Sequence, residues 1–328
     1  MARRGNRVSP SPQLAAPARP AGGREPAGHP HGVRATALIR AAYNGRVTTL
    51  PQLRSDGPFH LRRMRTDGPS ATVGIIGAMS APLGGDRLTL DITAEDRAEL
   101  EVTTAAATLA LRGPTTEAAT YDVRLTAGEH ASLRWRPQPL ISAAGSNLHQ
   151  TYTVELAATS RLVLRDEQLL GRADEEPGHL VTRIVVRFAG RPLLDQQTAY
   201  GAPEPGWDGP AVLDGHRATG QLLVVDPRLD ALREPVLLGN GATDGCAVLA
   251  PLAGGPALLA TAVAPTTSAV RELLDEAHAL ALAGWHGRAA APGGRRPTAS
   301  PYNNLGVLAP GGAVPGVAPR AHPGTVRR

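Results

Sequence analysis

The chain of 328 residues has room for one large domain or two small ones, and 37 glycines, 30 prolines and only 3% aromatic residues disfavour a long helical bundle. All 34 basic residues are arginine, and they are unevenly spread: residues 1–34 and 284–328 hold six each, which leaves residues 35–283 at about −6 despite a total of +5. A basic nucleic-acid-binding body is therefore excluded, no run reaches the roughly 20 apolar residues of a membrane span, and Cys246, the only cysteine, rules out an internal disulfide.

In chain order, residues 1–33 are crowded with Pro, Gly, Ala and Arg and lack a hydrophobic period, which predicts a disordered basic tail. That segment also has no apolar stretch of the kind a secretory leader carries, so the expected location is the cytoplasm. The folded body is expected over 34–286. Within it, period-two alternation marks strands at RLTLDI (87–92), ELEVTT (99–104), TYTVEL (151–156), TRIVVRF (182–188) and QLLVVD (221–226). Turn signals such as TAGEH and FAGRP separate them.

GGDRL (84–88) precedes the first of these strands. It lacks the lysine and the following helix of a phosphate loop, and it lacks the spacing of a dinucleotide fingerprint. The glycines are expected to turn the chain, with Asp86 capping the corner.

A repeat is also visible. LDITAEDRAELEV (90–102), VRLTAGEHASLRW (123–135) and VELAATSRLVLRD (154–166) superimpose with offsets of 33 and 31 residues. Each unit reads as strand, tight turn, strand, with one apolar face that stacking would bury. The predicted fold is therefore mainly β, a stacked-strand or β-helix-like solenoid with about two helices. One of these is an amphipathic helix near the C-terminus at VRELLDEAHALALAG (270–284), with Leu273, Leu274, Ala277, Leu280 and Ala281 at helical spacing. Residues 287–328 repeat the composition of the first tail.

No catalytic constellation emerges. The histidines show no zinc spacing apart from the weak pair His29 and His31, Asp166 and Glu167 are neighbours that a strand would turn to opposite faces, and no serine sits in a nucleophile elbow.

The order GPFHLRR (57–63), GGDRLTLDI (84–92), AELEVTTAAAT (98–108), SLRWRPQPLI (132–141), EQLLGR (167–172) and WHGR (285–288) resembles the urease accessory protein family UreD, called UreH in some organisms. The resemblance covers roughly residues 36–288. The chain departs from the family pattern at Ala105, at Gln138 and Pro139, and at its C-terminal end.

The resemblance implies a chaperone without turnover of its own. It would dock on urease apoprotein with UreF and the GTPase UreG, and pass Ni²⁺ inward without holding it as a tight cofactor. By position in the matching motifs, the partner or conduit candidates are Asp86, Glu101, Thr103, Thr104, Trp135, Gln150, Glu167 and Arg172. Glu101, Thr103 and Arg134 are expected opposite the apolar row, Trp135 in the core or an interface, and Arg172 in a bidentate grip on a carboxylate. No metal ligands are assigned. The rival readings are a β-solenoid binding module and a carbohydrate-active enzyme, the latter requiring paired carboxylates that the sequence does not display.

Overall fold

Alternation of apolar and polar residues becomes, in the computed structural model, two ladders of parallel strands wound into a solenoid. The structure describes residues 32–229, 234–241 and 244–283. Nearly all of both expected tails lies outside the described residues.

The first turn of the solenoid begins with β1 (Arg34–Tyr43), runs through β2 (Thr48–Arg54) and β3 (Phe59–Met64), and ends in β4 (Ala71–Gly77). The next two have three short sides each: β5 (Arg87–Ala94), β6 (Glu99–Thr104) and β7 (Thr108–Ala110), then β8 (Ala119–Ala127), β9 (Ser132–Trp135) and β10 (Leu140–Ser142). The fourth is β11 (Asn147–Leu156) and the long β12 (Arg161–Leu170). After β13 (His179–Phe188) and β14 (Arg191–Tyr200) come β15 (Ala218–Val225), β16 (Val236–Gly241), β17 (Gly245–Pro251), β18 (Ala257–Ala264) and the helix α1 (Thr267–Ala283).

In the first sheet β1, β5, β8, β11 and β13 run parallel, and antiparallel β2 and β14 close its two edges. In the second, β4, β6, β9 and β12 run parallel, β3 is the antiparallel edge, and β15, β18, β17 and β16 extend it beyond β12. The mainly β, stacked-strand expectation holds, and the described residues contain one helix.

Register lines identical faces up along the solenoid axis. Ile39, Ile92, Leu125, Val154 and Val186 pair in sequence across the first sheet, and Val73, Val102, Trp135 and Leu164 across the second. All nine are buried in one core. Each row is apolar because it lies on the inner face of its sheet, while the alternate residues turn outward and stay partly exposed. Trp135 lies in this core as expected.

The repeat is real but its third copy is displaced by two residues. Val123 pairs with Tyr152, and Leu133 with Leu162. An even slip keeps every side chain on its face, so alternation alone cannot detect it.

Helix α1 starts three residues before the predicted span. The Thr266 hydroxyl accepts from Ala269 N at 3.2 Å and caps it. Val270, Leu273, Leu274, Ala277 and Ala281 form its buried stripe, whereas Leu280 is exposed. The helix packs against β15 and β18 where Gly220 removes a side chain: a Cβ there would lie 2.6 Å from Val270 Cγ1 and 2.9 Å from Leu274 Cδ1. Gly220→Val is therefore expected to lift α1 and cost about 1–3 kcal/mol, read from the urea midpoint. An unchanged midpoint would show that the contact is not tight.

Candidate functional site

The predicted residues are spread over the fold and do not converge on one site. Asp86 is buried at the corner before β5, where Oδ1 accepts from Val33 N at 2.7 Å and Oδ2 from Leu83 N at 2.8 Å. Gly85 adopts φ +93°, and a Cβ on Gly113 would fall 2.3 Å from Gly84 N. GGD is thus a turn, as its sequence predicted, and it also lets two loops touch.

Glu101 and Thr103 lie half-buried on the outer face of the second sheet, with Arg134 paired to Glu101 in register. Thr104 is buried, accepts from Gln138 N at 2.8 Å and donates to Ala106 O at 2.9 Å, so it fastens a loop. Arg172 grips Glu175 with two parallel bonds of 2.8 and 2.9 Å, within the fold. The same Arg172 holds the Glu175 carboxyl down at about 2 by hydrogen bonding.

Gln150 leads to the most unusual interior. Along the inner face of the first sheet one row reads Ala35, Leu88, Tyr121, Gln150, Thr182, Thr198, pair by pair. It begins apolar and turns polar from the third strand onward. Across from it, β12 continues its apolar positions Leu162 and Leu164 with Asp166 and Gln168, both buried.

The two faces meet in hydrogen bonds. Gln150 Nε2 donates to Tyr152 Oη at 2.9 Å, and Tyr152 donates to Asp166 Oδ1 at 2.9 Å. Gln168 Nε2 reaches Asp166 Oδ2 at 2.6 Å and Thr182 Oγ1 at 2.8 Å. Gln150 Oε1 and Gln168 Oε1 remain buried acceptors without a partner. Burial drives the Asp166 carboxyl up to about 6, against the pull of its bonds to Tyr152 and Gln168, and neighbouring Glu167 adds to the rise. Burial, followed by the Asp166 charge, also keeps the Tyr121 and Tyr152 hydroxyls protonated.

Tyr121, the register neighbour of Gln150, borders a surface groove on its other side. An apolar groove of about 310 Å³ between β3, β4 and the loop after β6 is lined by Phe59, Met79, Pro82, Leu88, Thr104 and Tyr121. Tyr121 therefore belongs both to the groove and to the interior polar row, and its ring stacks on Phe59 at 5.7 Å.

Glu167 occupies the opposite face of β12, as its adjacency to Asp166 required. It is buried with Arg165 under α1: Arg165 Nε lies 2.5 Å from Glu167 Oε1, and Arg165 Nη1 lies 2.5 Å from Asp275 Oδ1. Arg165 also donates to Arg271 O at 2.9 Å, and Arg271 Nη2 reaches Gln138 Oε1 at 3.1 Å. The cluster has two arginines and two carboxylates, and it pins the helix to the solenoid.

Sequence reasoning names Gln150 and Glu167 but misses Tyr152, Asp166, Gln168 and Thr182. The signal exists in RLVLRDEQLL, whose apolar row is interrupted at two successive inward positions. Among the described residues, no three His, Cys, Asp or Glu side chains converge as a metal site. What the interior offers is oxygen: a carboxylate of adjustable protonation, two amide carbonyls and hydroxyls. Such donors bind divalent cations weakly and exchange them readily, unlike thiolate or imidazole clusters.

Comparison with known proteins places these features in context. A family model described as UreD urease accessory protein matches residues 34–295. Urease accessory protein UreD 2 of Saccharopolyspora erythraea is 61% identical over 247 residues, covering 75% of this chain and 87% of that protein. UreD 3 of Streptomyces griseus subsp. griseus is 54% identical over 251 residues, covering 75% and 95%. UreD 1 of Saccharopolyspora erythraea is 30% identical over 249 residues, covering 74% and 94%.

Proposed function

Because the chain belongs to the UreD family of urease accessory proteins, and so acts in urease maturation, we propose that it docks on apo-urease with UreF and UreG and conveys Ni²⁺ to the buried urease active site. The observation that supports the conveying role is the buried interior line Gln150, Tyr152, Asp166, Gln168 and Thr182, which lies next to Tyr121 of the surface groove.

A carrier must accept its cargo and then release it. Oxygen donors suit that requirement for Ni²⁺, whose tighter complexes use nitrogen and sulfur. Asp166 adds a means of balancing charge. With its carboxyl raised to about 6, it stands near the point where a proton and a cation compete for the same oxygens. Tyr152 and Gln168 hold the carboxylate in place, and the orphaned carbonyls of Gln150 and Gln168 supply further acceptors on the same line. In this reading the protein has no reaction of its own, and nickel is its passenger.

Urease should be expressed with its accessory proteins in the presence and absence of this chain, and nickel counted per urease active site. Loading is expected to fall sharply without it. Undiminished nickel would overturn the reading and leave a binding module of another kind.

A further inference from the structure

The outer face of the second sheet between α1 and the β3 edge carries no covering element among the described residues. Its rows are read from the register: Met64, Thr72, Glu101, Arg134 and Val163 in one, Arg62, Gly74 and Thr103 in the next. The floor is made of small side chains, Thr72, Gly74 and Thr103, and the Met64 sulfur would lie 3.1 Å from a Cβ on Gly74. On the far side, His278 and Leu282 of α1 form the wall of a groove of about 260 Å³ that also includes Arg134, Arg136 and Arg161.

Charge on this face is unbalanced. Arg62, Arg134, Arg136 and Arg161 stand against Glu99 and Glu101. The pairs Arg136–Glu101 and Arg161–Glu99 are long, at 3.8 Å each, and solvent-exposed, so they hold their arginines weakly. The side chains of Arg62 and Arg134 make no hydrogen bond or ion pair with any described residue. The charges at the two ends are already satisfied: Asp226 by Arg228 at 2.9 Å, and the Arg165, Glu167, Asp275 and Arg271 cluster within itself. His278 adds no charge at neutral pH, because burial and then Arg136 and Arg165 lower its pKa.

We propose that this trough receives an acidic amphipathic helix of a partner protein, lying on the sheet beside α1. Size and chemistry both favour that occupant. From β12 to β3 the face spans four strand spacings, roughly 19 Å, enough for a helix about 10 Å across seated next to α1. Its carboxylates would meet Arg62, Arg134, Arg136 and Arg161, and its apolar stripe would meet Met64, Val163 and Leu282. A polyphosphate backbone fits less well, since Glu99 and Glu101 stand on the floor and no aromatic ring is displayed there for bases to stack on. The inference rests on the docking role proposed above and assigns it a place and a charge.

The test uses the full chain assembled with apo-urease, UreF and UreG, carrying a benzophenone amino acid in place of Thr72. The crosslink is expected to map to a helix with net negative charge. Arg134→Glu combined with Arg62→Glu should weaken assembly about tenfold or more, and reversing an acidic residue on the mapped helix to arginine should restore it. A crosslink to a neutral or basic segment, to nucleic acid, or to nothing would overturn the inference, as would unchanged affinity and salt dependence in the double variant. If that happens while nickel loading still requires the chain, the docking face lies elsewhere and the carrier role stands.

Discussion

Asp166→Asn is expected to reduce nickel in urease to the level reached without the chain, while making the protein itself more stable above neutral pH. The sign follows from the carboxyl's environment. Its folded pKa of about 6 exceeds the ordinary 3.8, so the folded state keeps the proton longer than the unfolded chain does. The contribution of the protonated group is complete below about pH 4 and is lost as pH rises through 6. Above that, ionised Asp166 costs about 3 kcal/mol relative to a neutral side chain in the same place.

Asparagine is neutral throughout. The introduced side-chain amide would have the unpartnered Gln168 Oε1 at hand as acceptor if the Gln168 amide turned over. The stability difference between variant and parent should therefore grow between pH 4 and 6 and level off beyond, by urea denaturation at each pH. A variant that loses nickel delivery while gaining stability separates transport from folding. A flat pH dependence, or normal nickel loading, would remove Asp166 from the proposed path.

The second large effect concerns the other face of the same strand. Glu167→Ala removes the buried carboxylate partner of Arg165, 2.5 Å away, and leaves a guanidinium enclosed under α1 with the half-exposed Asp275 carboxylate and the Arg271 carbonyl. Breaking such a pair is expected to cost about 3–5 kcal/mol. Replacing both members with apolar residues of similar size, Arg165→Met with Glu167→Leu, should recover most of it, because the desolvation cost then disappears. Denaturant midpoints of the single and double variants decide this. If the single variant is neutral, the helix is held by its apolar stripe alone.

The solenoid is legible in the sequence because its rules are local. Alternation in LDITAEDRAELEV and its two relatives gives strand, turn and strand without reference to anything distant, and GGD reads as a corner from its own residues. What escapes is whatever depends on counting across copies. The third repeat lies two residues from its apparent alignment, and a period of two hides an even displacement. The interior carboxylate escapes for a related reason. Set beside its neighbour Glu167, Asp166 offers no paired carboxylate, and the two do face apart as expected. Set beside Leu162 and Leu164, it lies on the buried row, which the packing of β12 against the inner face of the first sheet makes plain. The motif-based choices are uneven in kind: Gln150 belongs to the interior line, Glu101 and Thr103 to the outer trough, and Asp86, Thr104 and Arg172 to turns that the fold itself uses.

The closing strands carry a further consequence. Within the first sheet every parallel pair joins segments a few dozen residues apart, so each coil closes on the one synthesised just before it, and none waits for a distant part of the chain. A growing polypeptide can thus wind up from its amino-terminal side as it leaves the ribosome. The enclosure around Asp166 waits for β13, which brings Thr182 to Gln168, and for β15, which pairs with β12 alongside it, so this polar interior is sealed late.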